Sequence, residues 1–470
     1  MPVQTGRWRQ RAMALALLGA SGCSNEPTLL TTGSAMVLAT DRDLPRRPWV
    51  PPANAPPGKP GKPLASRALS LREAVARAVE YSPAVKAAYS EIDARMADAA
   101  QASYKPNPQL SVEVENFGGS QSKAAFDQAE TTVGLSQVIE LGDKRVKRLA
   151  AARLEASLAG WDYEMARVLA ASRVADAFVD VLAAKERLAV LEDFARIAEV
   201  VRSGVDERVR GGKASAIDLD RAVVGTARAK ALADSERLKF EAARAKLAAL
   251  WGAEKPDFQT ATGRLGQNRR VPTLFAVRAL LDGNPQLARW SDELNRRNAA
   301  LSLERSKGVP DLTVGAGVRQ LNDDNATALV ASVSVPLKVF DGNQGAIAAA
   351  ERRAAKANFE ADAVRNELVS SLVETLGELA ASNAQVTAFE SRVLPAAQSA
   401  FDRTRIGYDE GKFDFLNVLD TQRSLFEVRL DLVNARANYE KARVKVEALI
   451  GRDLTTFENS APSHSKPEGR

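Results

Sequence analysis

Residues 138–156 read VIELGDKRVKRLAAARLEA. The first residues close a stretch that alternates apolar and polar side chains, as a β-strand does. The remainder is charged, Ala-rich and helical. Only Leu141-Gly142-Asp143 lies between them. The same change recurs in residues 333–353, VSVPLKVFDGNQGAIAAAERR. Two such passages, about two hundred residues apart, point to a duplicated plan.

Other landmarks repeat at a similar offset. Tyr81-Ser82-Pro83 returns as Gly283-Asn284-Pro285, and Pro106-Asn107-Pro108 as Gly308-Val309-Pro310. Gly212-Lys213 returns as Gly411-Lys412, and Leu250-Trp251-Gly252 as Leu449-Ile450-Gly451. Each half therefore reads as helix, strand, strand, very long helix, turn, helix. The periodicity predicts helices over 71–104, 143–209, 214–250, 273–307, 342–408 and 413–450.

The long helices carry a stripe in 4-3 steps: Leu154, Leu158, Trp161, Met165, Val168, Ser172, Ala175, Val179 and Leu182 in the first half. Leu368, Leu372, Thr375, Leu379, Ser382, Val386, Phe389 and Val393 repeat it in the second. A 3.5-residue period means supercoiled helices with interlocking side chains. A helix of about 65 residues is roughly 100 Å long, the length of an object that bridges a distance.

Strands are predicted over 109–118, 131–140, 311–321 and 327–338. Leu110, Val112 and Val114 face one side, and Ser111, Glu113 and Glu115 the other. About ten residues suffice for a tilted transmembrane strand. A half-buried sheet in water gives the same alternation. Four strands cannot close a barrel, and open edges are intolerable in lipid, so chains would have to pool strands: three copies give twelve, two give eight. On that reading the strand-to-helix switch is the membrane boundary. Gly142-Asp143 and Asp341-Gly342 would then supply the sharp turn and an acidic group at each helix start.

The totals agree with a helical, non-catalytic protein. The chain has 470 residues, 45% apolar content, few aromatics and a net charge of +6. Arg7, Arg9 and Arg11 lie in the amino-terminal segment, and the remaining charges are close to balanced with both signs interspersed along the helices, which gives no electrostatic case for nucleic acid. The single Cys and single His, Cys23 and His464, exclude a disulfide framework or a Cys/His zinc site within one chain. Glu207 stands at the first Gly position of a would-be phosphate loop before Gly212-Lys213, and Ala214 follows it, so no such loop is present. No enzymatic activity, metal or cofactor is expected.

At the amino terminus a basic stretch, the apolar run AMALALLGA (12–20) and Ala20-Ser21-Gly22-Cys23 have the order of a secretory signal. The segment resembles a bacterial lipobox, with Ala20 where Leu is usual. Cys23 is then the acylated residue; the alternative is ordinary cleavage with an idle Cys23. Residues 23–67 include a dense Pro cluster and read as an extended tether. The expected organisation is signal 1–22, tether 23–67, repeats over 68–252 and 273–452 with a linker 253–272 between them, and a disordered tail 453–470.

This layout resembles the TolC-like outer-membrane factors over about residues 68–452. IELGDKRVKRLAAAR and VPLKVFDGNQGAIAAAERR look most like the CzcC-like group of heavy-metal cation efflux, although Asp143 and Gly342 stand where Gly and Arg are usual. The resemblance implies a mainly α fold with a small β part. It also implies a homotrimer with a twelve-stranded barrel in outer-membrane lipid and a periplasmic helical barrel. The implied partners are a periplasmic adaptor and an inner-membrane proton-driven pump of the RND type. The helical tips that would meet the adaptor hold Arg210, Gly211, Gly212 and Lys213 in one half, and Arg405, Gly407, Gly411 and Lys412 in the other. The family's paired acidic gate residues match Asn417 and Asp420, with Asp218 at the duplicated spot. The plainer alternative is that these carboxylates only solvate a helix face. Two other readings remain open: a duct for organic compounds or type I secretion, and a periplasmic coiled-coil adaptor or scaffold.

Overall fold

The computed structural model describes residues 68–123, 125–267, 269–451 and 454. The signal and tether expected over 1–67, with Cys23, and nearly all of the expected tail, with His464, lie outside these residues.

A short strand β1 (Ala68–Leu69) leads into α1 (Leu71–Tyr81) and α2 (Pro83–Ala102). A hairpin of β2 (Gln109–Glu115) and β3 (Glu130–Ile139) follows, then α3 (Lys144–Arg210), which turns back into α4 (Ala216–Ala249). A linker carrying β4 (Thr260–Ala261) joins the halves. The second half holds α5 (Leu274–Arg278), a 3-10 turn at Ala279–Gly283, α6 (Pro285–Ala288) and α7 (Trp290–Lys307). Then come β5 (Leu312–Leu321), β6 (Ala326–Ser334), α8 (Gln344–Ala388), a π turn at Phe389–Val393, α9 (Leu394–Asp409) and α10 (Phe415–Ile450).

The molecule is mainly helical, with a two-stranded parallel pairing of β1 with β4 and one larger sheet. The two hairpins form a four-stranded antiparallel sheet in the order β2-β3-β5-β6. β3 and β5 pair over their full lengths, from Glu130 opposite Leu321 to Ile139 opposite Leu312. α3 has 67 residues, which at 1.5 Å per residue is a rod of about 100 Å. It packs against α4, α2, α7 and α10. Three buried clusters follow the rods. One joins α3 to α1, α4 and the linker around Phe178, Leu247 and Phe258. A second joins α8 to α10 around Leu372, Leu379 and Tyr439. The third lies at the helical end, around Val205, Phe401, Phe415 and Leu425. The expected stripe is the packed one: Leu158, Trp161, Ala175, Val179 and Leu182 are buried on α3, and Leu368, Leu372, Leu379 and Val386 on α8. Val393, its last member, is exposed because it ends the π turn.

Several helices are broken where the sequence suggested continuity. The expected helix 71–104 is two helices, because Pro83 has no N–H and holds Ser82 extended at φ −56, ψ 127. The expected helix 273–307 breaks at Pro285 for the same reason. There Asn284 accepts from Gln286 N–H at 2.8 Å and donates to the Leu449 carbonyl at 2.8 Å. The expected helix 342–408 starts at Gln344 and is interrupted at Phe389–Val393, just ahead of Pro395. That turn holds Glu390 between a linker cation and one on α10: its carboxylate accepts from Arg269 at 2.6 Å and Arg436 at 2.8 Å. The hydrogen bond from Arg269, then that from Arg436, holds the Glu390 carboxyl below its usual range. β6 ends at Ser334 rather than 338, since Pro336 cannot donate to a ladder.

Candidate functional site

The sheet has two chemically distinct faces. Strand alternation and the pairing register place Leu110, Val112, Val114, Val133, Leu135, Val318, Leu329 and Val333 on one side. All are exposed, with Leu110 at 73% and Leu329 at 89%. The opposite face carries Ser111, Glu113, Glu115, Glu130, Thr132, Ser136, Arg319 and Ser332. Glycines keep that face open at its centre: a Cβ on Gly315 would fall 2.5 Å from the Ser332 hydroxyl, and one on Gly317 2.7 Å from the Val133 carbonyl. Near the hairpin loops, Arg319 donates to Glu130 at 2.7 Å, to the Thr132 hydroxyl at 2.9 Å and to Glu115 at 3.3 Å. One guanidinium thus ties three strands. The sequence reading did not single out Arg319; its position on the polar face of β5 was the available signal.

Where strands meet helices, Gly142 (φ +71) and Asp143 (φ +59) form a left-handed pair ahead of α3. Gly142 also lies so close to Val309 that a Cβ would meet it at 3.0 Å. Asp311 fixes this corner by accepting from Leu141 N–H at 3.0 Å and from the Lys144 ammonium at 2.5 Å. In the second half the left-handed residue is Asn343 (φ +66), not Gly342. Asn343 donates to Glu304 at 2.9 Å, and Asp341 accepts from Asn343 N–H at 2.8 Å. Asp143 occupies the N-cap position of α3, and Asp341 stands two residues before the Asn343 N-cap of α8. Asp143 makes no side-chain cap bond, and neither α3 nor α8 has an acidic residue in its first turn. A left-handed cap residue does not adopt the extended backbone from which a carboxylate reaches the free N–H groups.

At the far end of the rods, two turns close by one pattern. Gly212 (φ +68) and Gly411 (φ +77) are the left-handed residues, while Gly211 has an ordinary φ of −82. Lys213 N–H donates to the Arg208 carbonyl and Lys412 N–H to the Gly407 carbonyl, both at 2.7 Å. Such paired bonds satisfy the last helical carbonyls. A Cβ on Gly407 would fall 2.3 Å from the Phe413 ring. The two tips are joined by Arg208, whose guanidinium lies 4.5 Å from the Tyr408 ring centre and donates to the Asp409 carbonyl at 3.4 Å. Burial pushes the Tyr408 hydroxyl above its usual pKa. Arg210 is mostly exposed and pairs with Asp206 at 2.6 Å, and Lys412 pairs with Glu410 at 2.6 Å. Lys213 and Arg405 are exposed.

Asn417 and Asp420 are exposed on the first turns of α10. Asp218 is half-buried at the start of α4, 3.6 Å from Arg221 and near enough to Tyr408 to act on its hydroxyl. Asp218 thus belongs with the Arg208–Tyr408 contact, while Asp420 and Asn417 face outward. Among the described residues, no group of three or more His, Cys, Asp or Glu side chains is placed to hold a metal ion. No described helix is long and apolar enough to cross a membrane.

A duplicated helix–hairpin–rod unit with an outward apolar sheet is matched by the family model described as outer membrane efflux protein, over residues 74–253 and 276–452. The chain belongs to the outer membrane efflux protein family. It is 33% identical over 384 residues to the cobalt-zinc-cadmium resistance protein CzcC of Cupriavidus metallidurans, covering 82% of this chain and 90% of that one. The nickel and cobalt resistance protein CnrC of the same organism is 29% identical, covering 61% of this chain and 68% of its own. Among solved structures, CusC, studied for its folding and transmembrane channel formation, superposes with a TM-score of 0.69 at 18% identity. That match covers 89% of this chain and 100% of CusC. This outer membrane efflux protein is therefore an outer-membrane channel protein, and its long helices are those of a channel family.

Proposed function

We propose that three copies of this chain form a passive exit duct for heavy-metal cations across the outer membrane. Each copy would contribute its four strands to a twelve-stranded barrel and its rods to a helical tunnel in the periplasm. The observation that carries this reading is the exposed apolar face from Leu110 to Val333. A contiguous apolar surface of that kind needs a cover, and lipid supplies one along a whole strand length. The unpaired outer edges of β2 and β6 support the same conclusion. Backbone groups at an open edge are costly in lipid, so β6 of one copy would pair with β2 of the next. The sides of the rods also await partners: Ile217, Val224 and Leu238 on α4, and Phe359 and Val373 on α8, are exposed.

Metal cargo follows from the likeness to CzcC and CnrC, whose names state metal resistance. The chain would take its energy and its selectivity from an RND-type pump, reached through a periplasmic adaptor at the Gly212 and Gly411 tips. Asp420, Asn417 and Asp218 would guard the opening there. Gly142-Asp143 and Asp341-Gly342 would mark the periplasmic boundary of the outer membrane, and an acylated Cys23 would anchor the tether. The test is deletion of the gene. Lost tolerance to divalent metals with unchanged tolerance to organic compounds supports the reading; the reverse pattern assigns an organic cargo. A mature protein mass lacking the acyl increment refutes the anchor.

A further inference from the structure

The geometry of the sheet points to Arg319 as a specificity-determining residue: at the outer mouth of the duct, it sets how strongly the pore favours cations over anions. The inference rests on the trimeric-duct reading, which makes the polar sheet face the pore wall. Arg319 is the only Lys or Arg in the four strands of the sheet. The same strands carry three carboxylates, Glu113, Glu115 and Glu130. The register puts all four charged groups on one face: Glu113 opposite Thr132, Glu115 opposite Glu130, and Thr132 opposite Arg319. They cluster at the end of the sheet beside the hairpin loops, away from the helices and from Asp420.

Arg319 is committed to two of the carboxylates, at 2.7 Å to Glu130 and 3.3 Å to Glu115. Glu113 lies on the same face beyond those two contacts. The Glu130 partner is braced in turn by Asn116, which donates to it at 2.9 Å and accepts from Lys123 at 2.5 Å. The pore wall is thereby net negative, but less so than its carboxylates alone would make it. A ring of fixed charge acts on permeating ions through water, and its sign decides which ions enter. The guanidinium offsets part of that field while tying β2, β3 and β5 together. An exit mouth tuned in this way attracts cations without holding them, which a conduit for cations requires.

The experiment is the reversal potential of the purified protein in planar lipid bilayers under a potassium chloride gradient. Arg319→Gln is expected to raise the cation-to-anion permeability ratio at least roughly twofold, the effect of one unit charge about 8 Å from an ion in water. Arg319→Lys, which keeps the charge and loses the three-way contact, is expected to stay near the wild-type ratio. Glu113→Gln, which leaves the Arg319 contacts in place, is expected to lower the ratio. Conducting channels with the same ratio in wild type, Arg319→Gln and Glu113→Gln would overturn the inference and leave the duct intact. A wild-type protein that forms no ring of sister chains in lipid would instead overturn the duct reading beneath it.

Discussion

Gly407 lies where the last turn of α9 meets the Phe413 ring, and the ring sits 2.3 Å from where a Cβ would stand. Overpacking of this kind costs about 1–3 kcal/mol. Gly407→Val is therefore expected to lower the thermal midpoint and to expose the 405–415 tip, seen as faster amide hydrogen exchange there than in α3. Gly212→Ala acts through backbone strain instead and should cost about 1 kcal/mol, because its φ of +68 disfavours any Cβ. Gly211→Ala should be nearly silent, since its φ is −82. The pair Gly211-Gly212 was visible in the sequence, but which of the two takes the left-handed conformation was not. That choice depends on where α3 frays, and Lys213 N–H bonding to the Arg208 carbonyl fixes it. In the same way Asn343, rather than Gly342, holds the corner before α8, because its amide reaches Glu304.

At the scale of elements, alternation in the strands and the 4-3 stripe in the rods were legible from residue order alone. Both depend on the intrinsic periods of 2 and 3.6, which no distant contact has to supply. The breaks were less legible. Ser82-Pro83 and Asn284-Pro285 were recognised as repeated landmarks yet read as helix interior. The π turn at Phe389–Val393 depends on Arg269 and Arg436 gripping Glu390, contacts that join segments far apart in the chain. That grip carries a pH signature. The Arg269 and Arg436 hydrogen bonds hold the Glu390 carboxyl below the usual glutamate range, so its contribution is fully present above the unfolded-state pKa and is lost as pH falls through the lower folded one. Wild type should exceed Glu390→Gln in stability near neutral pH, and the gap should close on acidification, as read by thermal unfolding at a series of pH values. For the sheet, Val112→Arg places a charge on the exposed apolar face and Ser111→Arg places one on the polar face. The first should cost about 2–4 kcal/mol of membrane stability and cut the amount of assembled protein in outer-membrane fractions. The second should assemble normally.

For the whole molecule, duplication explains why one chain holds two hairpins and two long antiparallel rod pairs. The sheet edges, the apolar sheet face and the bare flanks of α4 and α8 are surfaces that a single chain leaves open. Each is covered if copies stand side by side around a common axis in lipid. No contact within one chain can display that arrangement; the count of four strands argued for pooling between copies, and only the resemblance to a family chose three copies over two. The most direct test is a cryo-electron-microscopy reconstruction of the purified protein in lipid nanodiscs. The account predicts a closed ring of three chains, with Leu110 and Leu329 turned to lipid and Glu113 and Arg319 lining the pore. A single chain whose four strands lie in water, with no ring of sister chains, would contradict it.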